Sequence, residues 1–262
     1  MSGTMISLYA LAGALTVLFG LWLLSLRLRD VSIVDIFWGP GFVLIAWITW
    51  TLSSADSTRG LLALACTTAW GLRLGLYLGA RNLGHGEDKR YAAMRRRDPK
   101  GFPPRSLFTV FGLQGLLMWI VSLPVQATII APGSAQVGLL DLAAATLFVV
   151  GLGFEAIGDA QLTRFKSDPA NAGRVMDRGL WAWTRHPNYF GDATAWWGLG
   201  LLAVSAGHPW TLIGPLVMNV LLLRVSGVPL LERGMRKTRP DYEAYARRTS
   251  SFIPWPPRRD PS

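Results

Sequence analysis

Seven long apolar segments divide this chain, and they constrain its fold more than any other feature. They cover 5–26, 32–52, 60–81, 106–131, 137–163, 189–206 and 209–231. A helix needs about 20 apolar residues to cross roughly 30 Å of hydrocarbon, so each segment can form one crossing. The pattern predicts an all-α integral membrane bundle of about seven transmembrane helices, which forms a single membrane domain over 1–262.

The basic residues lie between these segments and give the predicted orientation. Of the 26 Lys and Arg residues, all but Arg59, Arg73 and Arg224 follow the first, third, fifth or seventh segment. Because Lys- and Arg-rich loops stay in the cytosol, we expect the N-terminus outside and the C-terminus in the cytosol, most simply in a bacterial inner membrane. The net charge of +10 then reflects topology and attraction to anionic membrane lipids rather than nucleic-acid binding.

Polar side chains interrupt several of the apolar segments. A charged group in hydrocarbon is costly, so each one is a candidate functional residue. Two pairs, Glu155 with Asp159 and Asn188 with Asp192, have the four-residue spacing that puts both members on one helix face. With Asp35, Arg73 and Arg224, all lie within about 15 Å of the cytosolic boundary. This predicts a shared polar pocket, although pairs such as Arg73 with Asp35 could instead only neutralise each other.

The segment 179–198 holds the densest group of candidate binding residues. Pro187 suits the first turn of a helix, and the free N–H groups of that turn, beside Arg185, make a natural phosphate site. Asn188 and Asp192 can hydrogen-bond an amide or a ribose hydroxyl. His186 lies between Arg185 and Pro187.

The string Trp-Thr-Arg-His-Pro-Asn-Tyr-Phe-Gly-Asp at 183–192 resembles the C-terminal domain of the steroid 5-alpha-reductase family, in particular its bacterial branch. Further matches are Val-Asp-Ile-Phe-Trp-Gly-Pro at 34–40, Pro-Leu-Leu-Glu at 229–232, Arg-Pro-Asp-Tyr at 239–242 and Phe-Ile-Pro-Trp at 252–255. In that family the C-terminal helices enclose NADPH, and a hydride passes to a conjugated carbon–carbon double bond. The resemblance therefore implies a cofactor-binding region over 137–262 and a substrate side formed by the helices of 1–131.

The resemblance also implies individual contacts to NADPH. Its expected cofactor-binding residues are Arg81, Asn82, Glu155, Asp159, Lys166, Arg185, His186, Asn188, Tyr189 and Asp192. Among them Lys166, Arg81 and Asn82 correspond to phosphate contacts, and Asn188 and Asp192 to the residues that hold the nicotinamide half.

The substrate side departs from the family pattern. Eukaryotic steroid reductases hold and protonate the enone with a Gln-Glu pair and a Tyr, which have no counterpart here. Asp35 is the expected acid, Tyr77 the second candidate, and Arg73 a group that could hold Asp35 ionised. We expect an NADPH-dependent reductase, acting on a lipophilic steroid-like, isoprenoid or fatty enone that enters from the bilayer.

Two other functions remain open at this point. Membrane methyltransferases of the isoprenylcysteine carboxyl type share the Arg-His-Pro-x-Tyr string and bind S-adenosylmethionine. A non-catalytic lipid-binding or assembly protein would explain the missing enone-binding residues. No metal site is predicted, because His85, His186 and His208 lie far apart in the sequence.

Overall fold

A computed structural model describes residues 1–54, 56–132, 137–225 and 227–258, and these residues are mostly helical. Among them, six helical stretches are long and apolar enough to cross a membrane: Gly3–Leu28, Ile33–Leu52, Thr58–Asn82, Phe102–Val121, Leu139–Ser167 and Pro209–Thr238. The same residues contain no β-strand, only a bridge between Thr184 and Ser250. The predicted all-α chain is confirmed, and its apolar helices indicate an integral membrane protein in contact with lipid.

The chain forms two compact units, of which the first comprises Met1–Asp141 and Leu202–Gly214. Its α-helices are α1 (Gly3–Leu28), α2 (Ile33–Leu52), α3 (Thr58–Asn82), α4 (Lys89–Arg97), α5 (Phe102–Ser106), α6 (Leu113–Val121) and α7 (Leu123–Ile130). A π-helical segment, Leu107–Gly112, joins α5 to α6. Helix α2 packs against both α1 and α3. The predicted connections 53–59 and 132–136 include residues outside the described ranges, namely 55 and 133–136.

Local sequence signals explain where the first helices begin and end. The Ser2 hydroxyl accepts a hydrogen bond from the Met5 N–H and so caps α1, and the Ser57 hydroxyl caps α3 in the same way. Helix α1 ends because Arg29 adopts a left-handed conformation with φ 55°. The short connection between α1 and α2 follows directly from this turn.

The fourth predicted span, 106–131, is wrong as a single helix. The membrane-length stretch begins earlier, at Phe102, and ends at Val121. A new helix, α7, starts at Leu123 with Pro124 in its first turn. Proline has no N–H to donate to the preceding turn, and its ring clashes with the carbonyl four residues earlier. One helix therefore ends before Pro124 and another begins.

The second unit comprises Leu142–Leu201 and Pro215–Ser262. The remaining α-helices are α8 (Leu139–Ser167), α9 (Leu180–Trp183), α10 (Pro187–Ser205), α11 (Ile213–Val220), α12 (Val228–Thr238) and α13 (Tyr242–Arg248). Short 3-10 turns lie at Pro169–Asn171 and Pro209–Leu212, and a π-helical segment, Leu221–Val225, follows α11. Residue 226, inside the predicted span 209–231, lies outside the described ranges, as does 259–262.

The sixth predicted span, 189–206, forms helix α10 but is not one of the six stretches of sufficient length and hydropathy. Its first two turns carry Asn188 and Asp192, which lower its hydropathy. The final stretch, Pro209–Thr238, is longer than the predicted 209–231. Arg224 lies in its π-helical segment.

Candidate functional site

Two crossing helices bring the acidic residues of the second unit together. A Cβ atom added at Gly191 of α10 would lie 2.4 Å from the backbone nitrogen of Glu155 and 2.5 Å from the carbonyl oxygen of Gly151. Only glycine permits so close an approach of α10 to α8. The crossing sets the polar faces of the two helices side by side.

Three carboxyl groups are buried at this crossing. Glu155 and Asp159 are each 3% exposed, and Asp192 is 8% exposed. The side-chain amide of Asn188 donates a hydrogen bond of 3.1 Å to Asp159, so the second pair of the four-residue pattern contacts the first directly. We call Glu155, Asp159, Asn188 and Asp192 the acidic cluster. Its oxygens are acceptors, and they suit hydroxyl and amide N–H groups of a ligand.

Glu232 of α12 holds the residues that precede α10. Its Oε1 atom lies 3.1 Å from the Arg185 guanidinium and 3.2 Å from Nε2 of His186. His186 is 4% exposed. Its ring stacks on that of Tyr189, with 5.6 Å between the ring centroids. Glu232 therefore orients both residues of the Arg-His pair.

These contacts engage donors that were expected to bind a phosphate at the start of α10. Arg185 forms an ion pair with Glu232, and the Tyr189 N–H donates to the side-chain oxygen of Asn188. Lys166, the other expected phosphate contact in this unit, is exposed in the last turn of α8.

Burial and the negative charge of Glu232 raise the pKa of nearby Tyr242 to about 12, so Tyr242 keeps its proton at neutral pH.

Asp35 is the centre of a polar group in the first unit. Its Oδ1 accepts a hydrogen bond of 3.0 Å from the Tyr91 hydroxyl and one of 3.4 Å from the Gln114 amide. Its Oδ2 accepts one of 3.0 Å from Arg90. Burial raises the pKa of Tyr91 above its ordinary value, and the charge of Asp35 raises it further. The Tyr91 hydroxyl is therefore protonated at neutral pH.

The cation bonded to Asp35 is Arg90, at 3.0 Å, and the suggested pairing of Asp35 with Arg73 stays a prediction. Arg73 lies on a stripe of α3, where its guanidinium is 5.9 Å from the centre of the Tyr77 ring. Arg81 approaches the same ring at 5.5 Å and donates a hydrogen bond of 3.0 Å to Asn82. Arg73, Tyr77 and Arg81 are spaced four residues apart, so they lie on the same face of α3. Asp35 is reached by the connection that follows α3.

The comparison with known protein families matches most of the chain. Residues 21–249 match the family described as protein of unknown function (DUF1295). The chain belongs to the DUF1295 family. The match names this family and not the steroid 5-alpha-reductases. The resemblance to the steroid 5-alpha-reductase family therefore stays a prediction.

One relative of this DUF1295 protein is an uncharacterized protein of Schizosaccharomyces pombe, C594.04c. The two are 25% identical over an alignment that covers 89% of this chain and 75% of the yeast chain. No solved structure matches the chain.

Sequence patterns missed four residues of these polar groups: Arg90, Tyr91, Gln114 and Glu232. Gln114 carried a usable signal, since it is a polar residue inside an apolar segment, as Asp35 is. Arg90 and Tyr91 lie in the basic connection of the DUF1295 chain, where nothing in their spacing relates them to Asp35. Glu232 lies inside a string that matched the family pattern without an assigned role.

Proposed function

We propose that this DUF1295 protein is an NADPH-dependent membrane reductase of conjugated carbon–carbon double bonds in lipophilic substrates. The acidic cluster carries the proposal. Three buried carboxyl groups and an amide on crossing helices are costly in a membrane protein and are therefore candidate ligand-binding groups.

The proposal includes the topology expected from the basic residues. Helix α10 would be the seventh crossing, with its polar first turns at the cytosolic end and its apolar second half in the bilayer. The N-terminus would be outside and the C-terminus in the cytosol of a bacterial inner membrane. A soluble nucleotide would then reach the acidic cluster from the cytosol, and a lipophilic substrate would enter from the lipid.

The chemistry of the acidic cluster fits the nicotinamide half of the cofactor better than the phosphates. Carboxylate and amide oxygens accept hydrogen bonds from ribose hydroxyls and from a carboxamide. Asp159, Asn188 and Asp192 would take this role. Because Arg185 is paired with Glu232, the proposed phosphate contact within this unit falls on Lys166.

Reduction also needs a group that holds the enone oxygen and a source of a proton. When bound, NADPH supplies the hydride for the β-carbon. The protein must stabilise the developing enolate and deliver a proton to the α-carbon. The Tyr91 hydroxyl carries a proton, which it donates to Asp35 before substrate binds. We assign Tyr91 as the donor: its O–H would turn from Asp35 to the substrate, so that the hydrogen bond to Asp35 breaks as the proton is transferred. Tyr77 remains the alternative.

A binding experiment on the purified protein tests the cofactor. We expect NADPH to raise the thermal unfolding temperature in detergent, and Asp192→Asn to weaken NADPH binding by about tenfold or more, because hydrogen bonds to charged groups contribute about 1.5–3 kcal/mol. Asp241→Asn is the matched control, since Asp241 is exposed and outside the acidic cluster.

The same experiment separates the other functions. Stabilisation by S-adenosylmethionine instead of NADPH would indicate a methyltransferase. If neither ligand binds, the reductase proposal is wrong and a lipid-binding or assembly protein is the better description. Oxidation of NADPH with a membrane-derived enone would then complete the case for reduction.

A further inference from the structure

A second polar site lies at the C-terminal end of the second unit. It is a pocket of about 310 Å³ lined by the end of α13, the tail that follows it and Arg185. Among the residues that the structure describes, four arginines line it, Arg185, Arg247, Arg248 and Arg258, and no Asp or Glu does. We call it the tail pocket.

The tail pocket keeps a positive charge after its ion pairs are considered. Arg248 is paired with Asp177 and Arg185 with Glu232. Within the described residues, Arg247 and Arg258 have no ion-pair partner. Two of the four guanidinium groups are therefore balanced and two are not, which favours an anionic ligand.

Arg185, whose charge Glu232 balances, brings a hydrogen-bond donor to the lining of the pocket. Its Nε–H is buried and has no hydrogen-bond partner among the residues that the structure describes. Nearly all buried N–H groups in proteins have a hydrogen-bond partner. The Nε–H of Arg185 is therefore a candidate donor to an oxygen of a bound ligand. Guanidinium groups match the oxygens of phosphate closely and can bind them in pairs.

The walls of the tail pocket are held in place by backbone contacts. The Arg185 N–H donates to the carbonyl of Ser250 at 2.9 Å, and the Arg258 N–H donates to the carbonyl of Arg248 at 2.9 Å. The Thr184 hydroxyl donates to the carbonyl of Phe252 at 2.7 Å. These contacts hold the backbone of Arg185, Arg248 and Arg258 in place before any ligand arrives.

Exposed apolar residues stand beside the basic lining. Trp255 and Ile253 are each 67% exposed, and Trp183 is 48% exposed. The Trp255 N–H donates to the carbonyl of Trp183 at 2.9 Å, so these two exposed indoles belong to adjoining strips of chain. Exposed Trp beside Arg is typical of a surface at the level of lipid head groups.

We propose that the tail pocket binds the phosphate group of an anionic phospholipid. The arginines contact the phosphate, while Trp183, Ile253 and Trp255 contact the apolar part of the same lipid. This site would anchor the C-terminal tail to the membrane surface. The proposal does not depend on the reductase function, because none of its residues except Arg185 was expected to bind NADPH.

The test measures binding of short-chain lipids to the full-length protein in a non-ionic detergent. We expect dihexanoyl phosphatidylglycerol to bind at least about tenfold more tightly than dihexanoyl phosphatidylcholine. The double variant R247Q/R258Q should weaken binding of phosphatidylglycerol by about thirtyfold, since each basic residue near a membrane surface contributes about fivefold. The variant R247K/R258K keeps the charge and should retain most of the binding.

A control variant separates a site from general attraction to positive charge. R96Q/R97Q removes the same charge from exposed positions of α4 and should change the affinity by less than about threefold. An equal loss in both double variants, or equal affinity for the two lipids, would overturn the proposal. Inorganic phosphate binding as tightly as the lipid, or NADPH displacing the lipid, would show that the pocket takes a soluble phosphate and would also overturn it.

Discussion

The Tyr91 hydroxyl donates a hydrogen bond of 3.0 Å to Asp35, although 56 residues separate them in the sequence. Tyr91 belongs to the short helix α4 in the basic connection, and Asp35 to the first turn of α2. The connection after α3 is therefore part of a polar group at the start of a membrane helix. Its role goes beyond the positive charge from which a cytosolic position was predicted.

Replacing Tyr91 by Phe should destabilise the protein while the ring stays packed. The side chain is buried, and a hydrogen bond to a charged group contributes about 1.5–3 kcal/mol, so we expect a loss of about 2 kcal/mol in the free energy of unfolding. Chemical denaturation in detergent measures it. Tyr9→Phe, at a tyrosine that is 52% exposed, should change little. If the reductase proposal is right, Tyr91→Phe should also lower kcat by about 100-fold with NADPH affinity unchanged.

Replacing Gly191 by Ala should separate α10 from α8. The new Cβ would lie 2.4 Å from the backbone nitrogen of Glu155, where no flexible side chain can move aside. We expect a loss of about 3 kcal/mol in the free energy of unfolding, at the upper end for overpacked sites, together with weaker binding of any ligand of the acidic cluster.

Gly153→Ala is the matched control for this crossing. Gly153 is on α8 too, but a Cβ there meets nothing within 4 Å. The same substitution should be neutral or stabilising by up to about 1 kcal/mol, because alanine favours the helix more than glycine does. Equal losses at both glycines would contradict a close crossing at Gly191.

The helices could be predicted from the sequence because a run of about 20 apolar residues has few alternatives to a membrane helix. The breaks within these runs were harder to place. The fourth run stays apolar through 106–131, but Pro124 starts a new helix there. Helix α10 shows the opposite problem: its polar first turns reduce its hydropathy below that of the six long stretches.

Some residues of the polar groups could be predicted because their spacing along one helix puts them on the same face. Asp159 and Asn188 each belong to a pair with four-residue spacing, and the two residues are in contact. Partners that come from distant elements leave no such signal. Glu232 follows His186 by 46 residues, and only the packing of α12 brings the carboxylate to the imidazole. Helix periodicity shows which residues share a face of one helix, but it does not show which residues of other helices contact that face.

Glu87 should make stability depend on pH in the acidic range. Its carboxylate binds Arg95 at 2.7 and 2.9 Å and accepts the Val31 N–H at 3.0 Å. Burial alone would raise the pKa of Glu87, but these hydrogen bonds outweigh it and leave the pKa below its ordinary value of 4.5. The stabilisation is therefore fully present above pH 4.5 and is lost as the pH falls through the lower, folded-state pKa.

The measurement compares Glu87→Gln with the natural chain by chemical denaturation at pH 7 and pH 3. We expect the variant to be about 1–2 kcal/mol less stable at pH 7, with a smaller difference at pH 3. Glu243→Gln removes a carboxylate that is 54% exposed from its pair with Arg236 and should cost less than about 1 kcal/mol at either pH. A pH-independent effect at Glu87 would contradict the assigned bonds.

The ion pair between Arg59 and Asp141 should show strong coupling. Arg59, the exception among basic residues at the predicted outer side, donates to both carboxylate oxygens of Asp141 at 2.8 and 2.9 Å. Asp141 is 1% exposed and Arg59 16% exposed. Asp141→Asn alone should cost about 3–5 kcal/mol, because it leaves a mostly buried cation without its counter-charge.

Removing both charges of this pair should cost less than removing one. The double variant Arg59→Met with Asp141→Leu leaves no unpaired charge, and replacing a buried ion pair by apolar residues is often close to neutral. A double-mutant cycle from denaturation in detergent gives the coupling energy directly. We expect it to exceed about 2 kcal/mol. Additive single effects would mean that Arg59 and Asp141 do not depend on each other, which the bidentate geometry does not allow.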